Sequence, residues 1–346
     1  MLELGRPSGK DQQSFLDVVA LARLHNGVIV VASSSSNELR FYAANGRFMA
    51  SAGRKGSGPG EFRTLRGVFV VGDTIVAVDA SLPASKFSFA GKFLGTVPRP
   101  KSAAGLPQLL AYFHDGSQVL DRTYPFNQRA SDGVVPVYGA IYKVAPNQSI
   151  TMLVDRLQLA SLQGTPTGPR PVAFQARLVV TGSPSGLCTA YTDRYIVSCV
   201  DINGRPSTRT EWHKVVVPVT AANKDAFVKA VASHPVRSED GFGTRQTIAP
   251  LFAKSWPLIA VIRRTADNEL WVQSYSMGAA VMATGSPPAP TDPTDWTVFG
   301  PDGAMLASIT LPRRFVPFEM GRDYVLGVLR DDDDVEVVTL YRLVRG

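Results

Sequence analysis

The sequence predicts an all-β protein made of six similar units arranged in a closed ring. One pattern of four short strands joined by turns recurs along the 346 residues, and 30 glycines and 25 prolines suit many such turns. The sixth unit ends after three strands, whereas Leu2-Glu3-Leu4 is a strand with no neighbour of its own. If this N-terminal strand completes the last unit, the ring closes without open sheet edges. These observations predict a six-bladed β-propeller that forms one domain over residues 1–346.

Turn signals at fixed places define the six units. Each unit has an inner turn between its first two strands and an outer turn between its last two, except that the sixth lacks the outer turn. The first two intervals between inner turns fit a bare four-stranded blade, and the later intervals carry insertions. The inner turns are His25-Asn26-Gly27, Gly72-Asp73, His114-Asp115-Gly116, Pro184-Ser185-Gly186, Asp267-Asn268 and Gly321-Arg322-Asp323, and the outer turns are Asn45-Gly46, Ala90-Gly91, Pro146-Asn147, Asn203-Gly204 and Asp302-Gly303.

A glycine-rich crossing joins the first two units. Asn45-Gly46 is a strong hairpin signal, and Gly53, Gly56, Gly58 and Gly60 precede Glu61-Phe62. This Gly-x-x-Gly-x-Gly-Pro-Gly-Glu-Phe pattern resembles the blade junction of NHL-repeat β-propellers. Segments 323–328 and 337–343 resemble the last blade of bacterial six-bladed propellers that are mostly uncharacterised. The resemblance is strongest at 37–97 and 294–343, and it implies architecture without catalytic residues.

Composition and charge narrow the class of protein. Hydrophobic residues make up 45% and charged residues 19%, as in a globular chain. No apolar run approaches the roughly 18 residues of a membrane span. The net charge is +7, but Lys and Arg are spread along the chain, so nucleic acid is not an expected partner. Because the chain opens inside a strand, we expect an extracytoplasmic protein whose leader precedes this numbering, with a cytoplasmic protein as the alternative.

One segment departs from the strand pattern. Residues 220–233 are rich in alanine, with Phe227, Val228 and Val231 at helical spacing and Thr220 as a suitable N-cap. We predict a short helix in an insertion at about 217–246, between blades four and five. The helix either packs against the propeller as an accessory or forms a lid over the channel mouth.

The two cysteines lie on either side of a predicted turn. If Asp193-Arg194 forms the turn between the second and third strands of blade four, Cys188 and Cys199 are direct cross-strand neighbours. They could then form a disulfide, whereas a one-residue slip would put them on opposite faces, and two buried thiols are the alternative. A disulfide would favour an extracytoplasmic location.

Motifs for catalysis are weak. His25 and His114 fall in hairpin turns, where solvated side chains are expected, and His213 and His234 share no metal-ligand spacing. The string Gly182-Ser183-Pro184-Ser185-Gly186 has proline where a nucleophile elbow needs serine.

Calcium is the one cofactor to be tested, and no other is expected. A hydrolase or lactonase on this fold would hold calcium with oxygen ligands from several inner strands. Candidate ligands near strand ends are Asp79, Asp121, Asp201 and Glu319. The run 331–334 is four consecutive aspartates, but it lacks the glycine and distal glutamate of a calcium loop and predicts a solvated turn.

The sequence favours a non-catalytic scaffold propeller that binds a protein, a glycan or a small molecule as a monomer. We expect its ligand surface on the face formed by the loops between second and third strands and by the crossings between blades. The calcium-dependent hydrolase or lactonase is the alternative, and RNA binding by a basic face is a weaker one. Candidate ligand-binding residues are Asn37, Arg66, Asp79, Tyr124, Arg194 and Tyr275.

Overall fold

The computed structural model confirms the six-bladed β-propeller, with one helix among the residues it describes. These are residues 1–5, 15–98, 100, 108–124, 133–163, 170–233, 251–275 and 292–345. Each blade is a separate antiparallel sheet, and the strands follow one another in chain order except in the last blade.

The blades have the following strands. Blade one contains β2 (Val18–Arg23), β3 (Ile29–Ser33), β4 (Glu38–Tyr42) and β5 (Phe48–Ala52). Blade two contains β6 (Leu65–Val71), β7 (Thr74–Asp79), β8 (Ala84–Ser88) and β9 (Phe93–Val97). Blade three contains β10 (Leu109–Tyr112), β11 (Gln118–Thr123), β12 (Val134–Val144), β13 (Ile150–Gln163) and β14 (Arg170–Pro171). Blade four contains β15 (Leu178–Ser183), β16 (Gly186–Tyr191), β17 (Ile196–Asp201) and β18 (Pro206–Glu211). Blade five contains β19 (Ile259–Arg264), β20 (Leu270–Ser274), β21 (Thr294–Phe299) and β22 (Met305–Leu311). Blade six contains β23 (Phe315–Met320), β24 (Tyr324–Arg330), β25 (Glu336–Arg342) and β1 (Leu2–Leu4).

The first strand of every blade lies at the centre of the ring. β2, β6, β10, β15, β19 and β23 contact one another in that order, and β23 returns to contact β2. Because each blade is an antiparallel meander, its two hairpin turns lie on one face of the ring, here called the turn face. The loops between second and third strands and the crossings between blades lie on the opposite face, here called the crossing face. All the predicted inner and outer turns connect the strands as expected.

The N-terminal strand closes the ring, as predicted. β1 pairs antiparallel with β25, with Leu2 opposite Leu340 and Leu4 opposite Val338. Leu4 is only 5% exposed, and it belongs to the apolar cluster that joins blade six to blade one. The same cluster includes Leu21 from β2, so the first and last blades share one core.

The glycine-rich crossing between blades one and two is shaped by two side chains. Phe62 is buried in the core between these blades, and a Cβ at Gly53, which has φ of +83°, would overlap its ring. The carboxylate of Glu61 accepts a hydrogen bond from the Gly58 N–H at 2.8 Å and one from Arg54 Nε at 2.7 Å. The motif therefore has a local structural cause, because the glycines make room for the phenyl ring and the carboxylate.

Blade four contains the cysteine pair. Cys188 on β16 lies directly opposite Cys199 on β17, and a disulfide joins them. Both residues are buried in the core between blades four and five.

The insertion between blades four and five contains helix α1 (Ala221–Ser233). Thr220 and Asn223 cap its N-terminus, since Thr220 Oγ1 accepts from the Asn223 N–H at 3.2 Å and Asn223 Oδ1 accepts from the Thr220 N–H at 2.9 Å. Phe227 of the helix packs edge-on against Phe174, with ring centroids 5.1 Å apart. Residues 234–246 of the predicted insertion, with His234, lie outside the described residues. In the described part of the chain, no helix is long and apolar enough to cross a membrane.

Blade three differs from the expected four-stranded unit. β14 adds a fifth strand, which pairs with the end of β13. β12 begins five residues before its pairing with β11, which starts at Gly139 opposite Thr123. The first half of β12 and the second half of β13 pair with each other and extend beyond the blade on the crossing face. This two-stranded extension, whose strands are joined by the Pro146-Asn147 turn at their other end, is here called the projecting hairpin.

We predict that ring closure depends on the buried Leu4 side chain. Leu4→Ala should lower the free energy of unfolding by about 2–3 kcal/mol, because it leaves a cavity in the core shared by blades one and six. The matched control is Leu94→Ala on the outer strand of blade two, where Leu94 is 51% exposed. This control should cost about 0.5 kcal/mol. Equal losses for the two variants in urea titrations would contradict a stabilising role for β1.

Candidate functional site

Two predicted ligand-binding residues, Asn37 and Asp79, accept hydrogen bonds from the backbone at the entry into blade two. Asn37 Oδ1 accepts a hydrogen bond from the Leu65 N–H at 3.1 Å, and Asp79 Oδ2 accepts one from the Thr64 N–H at 2.7 Å. Asn37 has φ of 54°, a left-handed conformation that asparagine tolerates well. Both side chains are buried, so their polar groups act within the protein. Their contacts explain their residue types without a ligand.

Asp79 accepts further hydrogen bonds from the loop that follows it. Its Oδ1 accepts from the N–H groups of Ser81 at 2.7 Å and Leu82 at 2.9 Å. Burial raises the pKa of Asp79, but these donors and the Thr64 N–H outweigh that effect, so the pKa lies below its ordinary value. The ionised carboxylate therefore stabilises the folded state.

The four acids considered as calcium ligands lie in four different blades. Asp121 accepts from the Gln108 N–H at 2.8 Å in blade three, and burial raises the pKa of its carboxyl. Asp201 lies on the turn face of blade four, where its Oδ1 accepts from the Asn203 N–H at 2.8 Å. Glu319 of blade six accepts from the Arg23 N–H at 2.8 Å, and Asp79 lies at the crossing face of blade two. Among the described residues, no group of three or more His, Cys, Asp or Glu is placed to hold a metal ion.

The aspartate run forms a hairpin turn between β24 and β25. Asp331 Oδ1 accepts from the N–H groups of Asp333 at 3.0 Å and Val335 at 2.9 Å, and all four aspartates are exposed. The histidines of the inner turns are also exposed. The His25 ring packs against Phe89 at a tilt of 55°, with ring centroids 5.1 Å apart, and the His114 backbone N–H donates to the carbonyl oxygen of Pro184 at 2.9 Å.

A polar and aromatic surface lies where the projecting hairpin meets blade four. It consists of Tyr138, Gln158, Ser161, Tyr191 and Arg194, and is here called the crossing-face patch. Gln158 Nε2 donates to the hydroxyl of Tyr191 at 2.8 Å and to Ser161 Oγ at 3.2 Å. Tyr138 is 44% exposed, and the Arg194 side chain is 60% exposed. The hydrogen bonds hold the centre of the patch in place, while its aromatic and cationic edges face solvent.

The charges of the patch are close enough to affect one another. Burial raises the pKa of Tyr191, and the hydroxyl of Ser161 and the cation of Arg194 act in the opposite direction. Arg194 Nε donates to Asp193 Oδ1 at 2.8 Å, but both side chains are exposed, so this pair adds little stability. The guanidinium is therefore free to exchange this neighbour for a partner's acceptor at little cost.

The predicted ligand residues Tyr275, Tyr124 and Arg66 are not part of this patch. Tyr275 packs against Trp256 beside helix α1, with ring centroids 5.7 Å apart, and burial raises its pKa to about 12. The Tyr124 hydroxyl donates to Asp155 within blade three. Arg66 is exposed at the start of β6 in blade two. Only Arg194 of the six predicted residues belongs to the crossing-face patch.

Sequence reasoning missed the four other members of the patch because three of them, Tyr138, Gln158 and Ser161, depend on the length of one hairpin in blade three. The Pro146-Asn147 turn is flanked on both sides by strand-forming runs longer than a bare blade requires. That excess length is the available signal. It places Tyr138 and Gln158 beyond the blade, directly opposite each other on β12 and β13.

No family model matches this chain, and no curated protein matches it. Solved structures show the fold. A Bacteroides fragilis protein inferred to be exported aligns with a TM-score of 0.54 and 15% identity, over 100% of this chain and 94% of its own. A DUF4221 family member from Bacteroides vulgatus aligns with a TM-score of 0.56 and 8% identity, over 99% and 96% of the two chains. At these identities the likeness establishes the six-bladed propeller alone, and membership of the NHL-repeat family is not established.

We predict that Asp79 is a stabilising residue. Asp79→Ala should lower the free energy of unfolding by about 2–3 kcal/mol, because it leaves buried N–H donors without an acceptor. Asp73→Ala, at the exposed turn of the same blade, should have almost no effect and serves as the control.

The pH dependence of this loss provides a second readout. Because the folded-state pKa of Asp79 lies below its unfolded value, the ionised group contributes its full stabilisation above about pH 5. That part of the stabilisation is lost as the pH falls through the folded-state pKa. The difference between wild type and Asp79→Ala in denaturant titrations should therefore shrink below pH 4, and a constant difference would contradict this assignment.

Proposed function

We propose that this chain is a non-catalytic binding propeller that works outside the cytoplasm and recognises a protein partner through the crossing-face patch. The observation that carries the proposal is the projecting hairpin, which holds Tyr138 and Gln158 beyond the blade beside Tyr191. Tyrosine and arginine are the residue types that most often dominate binding energy at protein interfaces. Here Tyr138 and Arg194 are the exposed members of the patch.

Hydrogen bonds within the patch order its side chains before a partner binds. Tyr191 is fixed by Gln158, and Gln175 Oε1 accepts from the Ser161 N–H at 2.6 Å. Side chains already ordered in the free protein lose less conformational entropy when they bind, so more of the contact energy appears as affinity. The patch also projects from the ring, and a projecting surface suits the broad face of another protein better than a small molecule, which favours a cavity.

Two observations favour an extracytoplasmic location. The buried Cys188–Cys199 disulfide is typical of proteins that fold in oxidising compartments. The Bacteroides fragilis relative in fold is a protein inferred to be exported, although its low identity makes this an analogy. We also retain the expectation that the chain is a monomer before it binds its partner.

The test is a comparison of three forms of the full chain as bait. The wild type, the double variant Tyr138→Ala with Arg194→Ala, and the control Arg205→Ala are incubated with secreted and cell-envelope extracts and chemically cross-linked. Arg205 is exposed on the turn face of the same blade, so its loss removes one charge away from the patch.

We predict that a partner captured by wild type and by Arg205→Ala will be lost from the double variant. Titration with the purified partner should show a fall in affinity of about 10- to 100-fold for the double variant, as expected for interface hot spots. Equal binding by all three forms would contradict the assignment of the patch. Recovery of a glycan in place of a protein would overturn the class of partner.

A further inference from the structure

A cavity lies on the turn face where the ring closes, between blades six and one. Its volume is about 340 Å³, at the small end of the range for ligand pockets. Leu2 and Leu340 from blade six and Ile29 from blade one form apolar walls. Arg23, Arg342 and Tyr324 supply its polar groups, and Asp323 lies at its edge. This cavity, here called the seam pocket, is on the opposite side of the ring from the crossing-face patch.

The two arginines come from opposite sides of the seam. Arg23 ends β2 of blade one, in line with Leu21, which packs into the core shared with blade six. Arg342 lies opposite Tyr324 in the β24–β25 pairing, and the cross-strand partner of Leu340 is Leu326, which belongs to the same shared core. Because cross-strand partners share a face, Arg342, Tyr324 and Leu340 all face blade one. The guanidinium groups of Arg23 and Arg342 therefore approach the pocket from its two walls.

The cationic side of the pocket is held in place from behind. The Arg23 guanidinium stacks over the Tyr324 ring, 4.4 Å from its centroid. The Tyr324 hydroxyl donates to Glu319 Oε1, and Glu319 Oε2 accepts from the Arg23 N–H at 2.8 Å. One carboxylate thus orients both Tyr324 and the strand end that carries Arg23, which is a preorganised arrangement.

The positive charge of the pocket is only partly balanced by the protein. Asp323 Oδ1 lies 3.7 Å from Arg23 Nη1, and the Asp323 side chain is 69% exposed, so this ion pair is weak. In the part of the chain that the structure describes, no hydrogen bond or ion pair engages the Arg342 guanidinium, which is exposed at the end of β25. Two guanidinium groups thus face one small cavity, with the exposed Asp323 carboxylate at its edge and the Glu319 carboxylate behind Arg23.

We propose that the seam pocket binds a small organic carboxylate with a short apolar body. The carboxylate lies between Arg23 and Arg342, whose planar donor groups match its two oxygens. The apolar body lies against Leu2, Ile29 and Leu340. Because the pocket is formed by both the first and the last blade, a bound carboxylate links them and stabilises the closed ring by mass action.

Octanoate is the probe, with octanamide as its neutral isostere and inorganic phosphate as an anion without an apolar body. Calorimetry on the full chain should show octanoate binding that raises the melting temperature, with weaker binding of both comparison compounds. Equal affinity for octanamide would overturn the role of the arginines. Equal affinity for phosphate would overturn the role of the apolar walls, and no octanoate binding at millimolar concentration would overturn the proposal.

Four variants locate the site. Arg342→Ala should weaken octanoate binding by about tenfold or more, as for loss of a charge-assisted hydrogen bond. Asp323→Asn should strengthen it, because it removes the competing carboxylate. Ala44→Phe should abolish it by filling the pocket, since Ala44 lies at the exposed rim.

Arg205→Ala removes a cation from the turn face of blade four and should leave binding unchanged. Equal weakening in Arg342→Ala and Arg205→Ala would show a diffuse charge effect and overturn the assigned site.

Discussion

The pairing of β1 with β25 is the interaction on which the rest of the structure depends. Without it, blade six would have three strands with β25 as its outer edge, and the core shared with blade one would lose Leu4. Every central strand contacts its neighbours on both sides, so the position of each blade depends on an unbroken ring. Closure also forms the seam pocket, whose walls come from β1 and both adjacent blades. A single three-residue strand thus connects stability with a candidate binding site.

Buried polar side chains provide the second constraint on the ring. Asn37, Asp79 and Glu319 each accept hydrogen bonds from backbone N–H groups at strand ends, where the sheet leaves donors unpaired. Such positions are attractive as functional candidates in a sequence, because polar residues follow apolar strands there. The contacts of Asn37 and Asp79 give such polar residues a structural explanation as well. An acid at a strand end can accept backbone hydrogen bonds or contact a ligand, and the sequence does not distinguish the two roles.

Local chemistry explains which features could be predicted from the sequence. Hairpin turns depend on a few neighbouring residues, so Asn45-Gly46 and Asp302-Gly303 locate the turns that the structure has. The Cys188–Cys199 register also follows from the position of one short turn. The crossing-face patch could not be predicted in this way, because Tyr138 and Tyr191 come from different blades. Their proximity depends on the projection of β12 and β13 and on how two blades pack, which no local pattern specifies.

The proposed role outside catalysis is tested most directly by the metal content of the purified full chain, with melting temperatures before and after chelation. A binding propeller is expected to contain no stoichiometric calcium and to keep its melting temperature after chelation. Asp79, Asp121, Asp201 and Glu319, the acids considered as calcium ligands, lie in four separate blades, so the measurement tests whether any of them holds a metal ion. Stoichiometric calcium, lost on chelation with a clear fall in melting temperature, would contradict the account and favour the metal-dependent hydrolase.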